Sequence, residues 1–442
     1  MKSLLIRGGL IVDPSQAIDE TGSLLISEGK ISWLGKTEAV PSEVSYDVLP
    51  AEGLIVCPGF IDLHCHLREP GFEEKETIAT GTRAAARGGF TTVCCMPNTN
   101  PPLDNVTTIN YVKEKAEAEG VVRVLTIGCV SRGRKGEELV DMNELASAGV
   151  AGYSDDGDPV PSEGLMRQAL ERNLATGLPV IDHCEDRGLS GGGVINEGVI
   201  SKKLGLAGIP AAAEENIVAR DLALAKLTGG RLHIAHVSTA GSVELIRRAK
   251  DEGVRVTAEV TPHHLTLTEE KVMLWGTNAK VNPPLRTSQD IQALIRGLKE
   301  GVIDAIATDH APHTEADKRC GFDEAAFGIS GFETALGSLM SLVHEGQIGL
   351  STLISKLTCE PAGIIGGRYR RLGTLAVGAA ADVMIFDPEM EWVVDTKAFA
   401  SKGKNTPLAG SLLRGKVMAT VVKWEVVYMA EGIKVEGKRS QT

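Results

Sequence analysis

The stretch Ile55-Val56-Cys57-Pro58-Gly59-Phe60-Ile61-Asp62-Leu63-His64-Cys65-His66-Leu67-Arg68 opens on apolar residues and closes on two histidines and an arginine. A short, nearly continuous apolar run reads as a strand buried on both faces, expected here over residues 55–63. Residues two apart on an extended chain point the same way, so His64 and His66 converge just beyond the strand's end. Two imidazoles aimed at one point suit a divalent metal. A pair alone does not separate a metal site from two structural histidines, so the neighbouring runs decide.

Seven more apolar runs follow, at 91–96, 123–129, 150–154, 179–182, 232–235, 255–260 and 303–308. Helical or loop stretches separate them, among them 74–87, 165–175, 214–227 and 243–252. Eight such units predict a closed (β/α)8 TIM-type barrel, whose strands all open their C-terminal ends onto one face. Ligand-type residues stand at five of those ends: His64 and His66, Asp155-Asp156, His183, His236 and Asp309. Four histidines and two carboxylates therefore meet in one pocket. Imidazole and carboxylate donors without thiolate suit zinc, with manganese, cobalt or iron as alternatives. The set is large enough for one or two Zn2+ ions per subunit, which would lower the pKa of a bound water. Of Asp155 and Asp156 only one can face inward, because adjacent extended residues point to opposite sides. The other histidines read as packed or hydrogen-bonded: His263 and His264, His344, His310, and His233, which faces away from His236 by alternation.

The first ~55 residues are short strands broken by Gly8-Gly9, Asp13-Pro14 and Glu28-Gly29, and the same texture returns from Gly373. Residues 1–55 and 373–442 are expected to form one split β-sandwich, with residues 56–372 as the barrel. Gly191–Gly193 and residues 318–331 read as loops that could cover the site. The formal net charge is -12, and without a long basic run this argues against a nucleic-acid or anionic-membrane partner. No run of apolar residues approaches the roughly 18 of a membrane span, and the first 13 residues lack the pattern of a secretory signal. Eight scattered cysteines without a CxxC pair read as reduced thiols of a cytoplasmic protein.

These residues, in this order, resemble the amidohydrolase superfamily. Six segments resemble class I dihydroorotases in particular: DLHCHLRE (62–69), MPNTNPP (96–102), SDDG (154–157), DHCED (182–186), KVNPPLR (280–286) and ATDHAPH (307–313). The resemblance implies reversible hydrolysis of dihydroorotate to N-carbamoyl-aspartate in pyrimidine synthesis. It implies that His64, His66 and Asp309 hold one metal and His183 and His236 a second. Asp156 would bridge them, by its spacing to His183, leaving Asp155 beside the site. Many relatives bridge with a carboxylated lysine; no lysine occurs between Lys135 and Lys202, which excludes that version. Asp309 would be the general base and acid acting with a metal-bound hydroxide, and His66, Arg68, Asn98, Asn282, His313 and the Phe327-Gly328 backbone would meet the substrate. The implied partners are the small-molecule substrate, a second subunit in a homodimer, and aspartate transcarbamoylase. A hydantoinase or allantoinase shares fold and metals, but Arg68, MPNTNPP and the missing lysine argue against it. A non-catalytic scaffold for aspartate transcarbamoylase would have lost ligands, whereas every expected position is filled.

Overall fold

A computed structural model describes residues 3–41 and 44–439. Eight parallel strands lie side by side in chain order: Phe60–Cys65, Phe90–Cys95, Arg123–Gly128, Gly152–Tyr153, Val180–Asp182, Leu232–Ile234, Val256–Val260 and Ala305–Ile306. The ring is completed by a parallel bridge between Cys65 and His310, where His66 N–H donates to the His310 carbonyl at 2.9 Å. Its interior is filled by Ile61, Leu63, Cys94, Ile127, Ile181 and Ala307, with Ile364 and Ile365 plugging the end opposite the site. The barrel is therefore a packed core, and its larger cavity lies at the C-terminal mouth.

The helices lie outside. Ile78–Arg87 starts at Thr77, which forms a reciprocal capping box with Thr80; the turn containing Glu74 stays outside the helix for that reason. Glu163–Thr176 is capped by Ser162 and stopped by Gly177 in the left-handed region.

The strand expected over 55–63 is two strands. Ile55–Pro58 belongs to the sheet built by the chain ends, pairing with Val383–Val393, and Phe60–Cys65 begins the barrel. Gly59 makes the crossing: a Cβ there would stand 2.2 Å from Thr91 Cγ2, so no larger residue fits without displacing its neighbour. The end sheet is mixed and nine-stranded. Its first strand, Ser3–Asp13, pairs through Leu4–Arg7 with Tyr46–Pro50 and then through Leu10 and Ile11 with Ile55 and Val56, while its antiparallel pairing with Ile18–Ser27 has a register break between Ile6 and Gly9. This fork carries the sheet around its own apolar core, which includes Ile6, Leu24, Val56, Val383, Ile385 and Val421. Asp13 fastens the returning chain by accepting from Leu375 N–H at 2.6 Å. Between Val383–Val393 and Leu412–Val422 the chain leaves this sheet and runs back to the barrel mouth. Among the described residues no helix is long and apolar enough to cross a membrane.

Candidate active site

Strand ends deliver the side chains, and on the sixth strand the alternation that delivers them is broken. On the fifth strand Ile181 points into the barrel and His183, two residues on, points into its mouth. On the sixth, Ala235 already fills the interior, and His236 follows it directly; its φ of 33° turns the ring back into the mouth. Asp309 (φ 44°) and Arg68 (φ 63°) occupy the same left-handed region, which non-glycine residues enter at a cost. His233 consequently lies beneath the site: its Nε2 is 3.2 Å from Glu259 Oε2 and its Nδ1 2.8 Å from Thr257 Oγ1. It is packed, as expected, but because the break falls at His236 it lies on the inward side with Ala235 rather than facing away, and it touches the site through Glu259.

A cavity of about 210 Å3 opens among His66, Arg68, Asn98, Asp156, His183, His236, Asn282, Asp309, His313, Phe327 and Gly328, with His64 buried behind them. His66 Nε2 stands 2.9 Å from Asp309 Oδ1 and 3.5 Å from Asp156 Oδ2, while its Nδ1 meets Asn98 Oδ1 at 2.9 Å. His64 Nε2 is 3.3 Å from Asp156 Oδ1 and 3.6 Å from Asp309 Oδ1. His183 Nδ1 approaches His236 Nε2 at 2.9 Å, and Asp156 Oδ1 lies 3.5 Å from His236 Nε2. Asp156 thus turns into the cluster. Asp155 turns away and accepts from the N–H groups of Val130 (2.9 Å) and Ser131 (3.0 Å) and from the Ser131 hydroxyl.

The donor set fits a cation. His64 Nε2 and Asp156 Oδ1 are buried without a hydrogen-bond partner, which is costly unless something charged completes them. Donor atoms of His64, His66 and Asp309 lie within 4.8 Å of one another, as do those of His64, Asp156 and His236. Burial alone would raise the Asp309 carboxyl, but the His66 hydrogen bond and the charges of His64, His66 and His236 hold it well below the usual carboxylate range. Burial would likewise raise Asp156, and His64 foremost holds it down. Both carboxylates are therefore anionic at neutral pH, the state in which they can ligate or accept a proton.

Arg68 contributes the opposite charge. Its Nε donates to the Pro312 carbonyl at 3.2 Å and its Nη2 lies 3.2 Å from His313 Nε2. No carboxylate among the described residues lies within 4.0 Å of it. Asn282 Nδ2 is 3.3 Å from His183 Nε2 and donates to Glu185 at 3.1 Å. The Phe327-Gly328 backbone lines the cavity, but much of it is engaged: Phe327 O meets His313 Nε2 at 2.8 Å, Gly328 N–H donates to Lys280 O at 3.0 Å, and Gly328 O accepts from Asn405 at 2.9 Å.

The chain matches the family model described as dihydro-orotase-like over residues 53–242. It is 53% identical over 426 residues to the dihydroorotase of Thermoanaerobacter sp. (strain X514), covering 96% of this chain and 97% of that one. The chain belongs to the dihydroorotase family. A second member, the dihydroorotase of Geobacter sp. (strain M21), is 50% identical over 428 residues, 97% of this chain and 100% of that one. Among solved structures, the L-hydantoinase (dihydropyrimidinase) of Arthrobacter aurescens superposes with a TM-score of 0.87 at 26% identity, covering 99% of this chain and 98% of that one.

Several buried groups around this family's site carried no motif. Glu259 accepts from His64 Nδ1 at 2.8 Å, and burial, which would raise its carboxyl, is outweighed by His233 and His64, which hold it down to about 2. Glu76, which faces His310 at 3.4 Å, and Asn405 are the others. Glu259 sits on a barrel strand pointing inward, so alternation could have found it; Asn405 lies far outside the barrel sequence. His263 and His264 are buried beside each other, with His264 spanning Thr261 Oγ1 and the Pro283 carbonyl. His310 stacks on Phe332, and His344 Nε2 donates to the Pro388 carbonyl.

Proposed function

We propose that this protein is a dihydroorotase enzyme, catalysing the reversible hydrolysis of dihydroorotate to N-carbamoyl-aspartate in pyrimidine synthesis. The observation that carries the reading is a single cavity with two kinds of wall. One is a histidine–carboxylate cluster with unpartnered buried donors; the other is the Arg68 guanidinium, with no carboxylate of the described residues within 4.0 Å. A cyclic amide that carries a carboxylate answers both. Arg68 offers that carboxylate a planar pair of donors, and Asn98, Asn282 and His313 surround it.

His64, His66 and Asp309 would hold one ion and His183 and His236 a second, with Asp156 between them; zinc is the ion this donor set favours. When bound, it would make water acidic enough to attack at neutral pH and would polarise the ring carbonyl. Asp309, anionic beside His66, takes a proton from the attacking water as its oxygen bonds to the carbonyl carbon. The ring C–N bond breaks, and Asp309 returns that proton to the leaving nitrogen. Ring closure runs the same steps backwards.

Eight cysteines without a disulfide fit a reducing cytoplasm, and the resemblance adds a homodimer and an aspartate transcarbamoylase complex as assemblies to test by sedimentation. The test of the function is a coupled assay for carbamoyl-aspartate formation with metal analysis on the same sample. Turnover of dihydroorotate with bound zinc is the expected result. Turnover of hydantoin but not of dihydroorotate would move the protein to the activity of its structural relative. Bound metal without any turnover would leave a binding scaffold.

A further inference from the structure

One residue outside the barrel reaches further into the site than its position suggests. Asn405 lies in the segment between the end-sheet strands Val383–Val393 and Leu412–Val422, and it is 4% exposed. Its Nδ2 donates to the Ala311 carbonyl at 3.0 Å and to the Gly328 carbonyl at 2.9 Å. Its Oδ1 accepts from His313 N–H at 2.9 Å and from the Ser330 hydroxyl at 2.9 Å, and its own carbonyl accepts from Ser330 N–H at 2.8 Å. Both amide donors and both acceptor positions are used, which fixes the amide's orientation by the network itself. Three of these partners, Ala311, His313 and Gly328, line the cavity.

The two cavity-lining stretches that Asn405 joins, 311–313 and 327–330, lie on either side of the short helix Glu315–Lys318 in the connection after the eighth barrel strand. Gly328 has φ 143°, open to glycine and strained for other residues. Ala311 and Ile329 pair through one backbone hydrogen bond of 2.9 Å, His313 meets the Phe327 carbonyl and Gly328 N–H the Lys280 carbonyl, and Asn405 is the side chain that bonds to both stretches from behind. Its segment is delivered by anchors of its own: Ala400 N–H donates to Glu333 at 2.8 Å, and the Ser401 hydroxyl to Glu76 at 2.5 Å. Gly403 lets it pass, because a Cβ there would stand 2.4 Å from Pro312 Cβ and 2.7 Å from Ser330 Oγ.

We infer that Asn405 is a positioning residue for substrate binding: it presets the wall formed by Ala311, His313 and Gly328, so that the segment 399–408 of the end domain is part of the active site. Asn405 touches none of the groups assigned to proton transfer or metal binding, so it acts on how substrate is held. The inference rests on the dihydroorotase reading for its assay.

The experiment compares Asn405→Ala and Gly403→Ala with the wild type in steady-state hydrolysis of dihydroorotate, with zinc content and Tm measured on each. Val421→Ala, in the end-sheet core, is the control for lost stability alone. The expected result is a KM about tenfold higher in both wall variants, with kcat within about threefold and zinc content unchanged, and an unchanged KM in Val421→Ala. Lowered Tm with wild-type KM in the wall variants overturns the inference, and so does a KM that rises equally in Val421→Ala. Should Asn405→Ala fail to fold, Gly403→Ala decides, since it wedges the same segment away while keeping the amide. A wild type that does not turn over dihydroorotate refutes the function and with it the inference that rests on it; failure of the wall alone is distinguished by an active wild type.

Discussion

The floor of the cavity and its wall are held in different ways. The floor consists of side chains at strand ends, His64, His66, Asp156, His183, His236 and Asp309, each placed by the barrel itself. The wall, Ala311 to His313 and Phe327 with Gly328, consists largely of loop backbone, fastened from behind by side chains of other segments. Asn405 is one such fastener; Lys280 and Lys318 are two more. Lys280 Nζ donates to the Phe322 carbonyl at 2.7 Å and the Asp323 carbonyl at 3.2 Å. Lys318 Nζ donates to the carbonyls of Ala326 (2.6 Å), Thr277 (3.1 Å) and Lys280 (3.2 Å). The loop at 318–331, expected as a cover, is already stapled against the cavity. Chemistry should fail when the floor is changed, and affinity when the wall is.

The largest effect belongs to the floor. Asp309→Asn keeps the shape but removes the carboxylate proposed as base and ligand; kcat is expected to fall by about a thousandfold or more, with weaker metal retention. A near wild-type kcat with full metal content would remove Asp309 from the proton transfer. Next comes Arg68, on the wall side of the cavity: Arg68→Met should raise KM for dihydroorotate by about a hundredfold and leave zinc content alone. An unchanged KM would reject the carboxylate role and blur the division between floor and wall.

A third change tests whether the floor also depends on what lies beneath it. Glu259 holds His64 Nδ1, so its partner Nε2 faces the cluster in one fixed orientation. Glu259→Gln should weaken zinc affinity by about tenfold, measured by competition with a chelator, and leave the KM of the zinc-saturated enzyme near wild type. A raised KM with unaltered zinc affinity would put Glu259 with the wall.

The same division explains what could be read from the chain. The barrel was legible because eight apolar runs alternate with helical ones, and the floor because histidines and aspartates end five of them at matching places. The break at Gly59 was not legible: both strands it separates are apolar, and only the close approach to Thr91 forces the turn between two sheets. The inward turn of His236 after Ala235 was hidden as well, because a left-handed φ at one residue undoes an alternation rule. Asn405 could not be found by pattern at all. Its partners lie 75 to 94 residues away in sequence, and an asparagine in a polar loop has no periodicity to mark it.

The smallest effect concerns how the wall is anchored to the barrel. Glu333, its side chain 6% exposed, receives the N–H groups of Ala400 and Ser401 and so holds the start of the segment that carries Asn405. Burial pushes its carboxyl up to about 7 from an ordinary 4.5, against the pull of those N–H groups and Arg87. Between these values the folded protein keeps a proton that the unfolded chain has released, so stability falls as pH rises through that window. The favourable contribution is complete below 4.5 and gone above 7, and amounts to about 3 kcal/mol at most. Glu333→Gln cannot ionise, so its unfolding free energy in urea should decline less than the wild type's between pH 4.5 and 7. Because a neutral amide oxygen still accepts from Ala400, KM should rise by no more than about threefold. Parallel pH profiles for the two proteins would show that Glu333 ionises normally and that the anchor is an ordinary carboxylate held by Arg87. A large rise in KM with parallel profiles would show instead that the anchor acts on the wall through geometry alone.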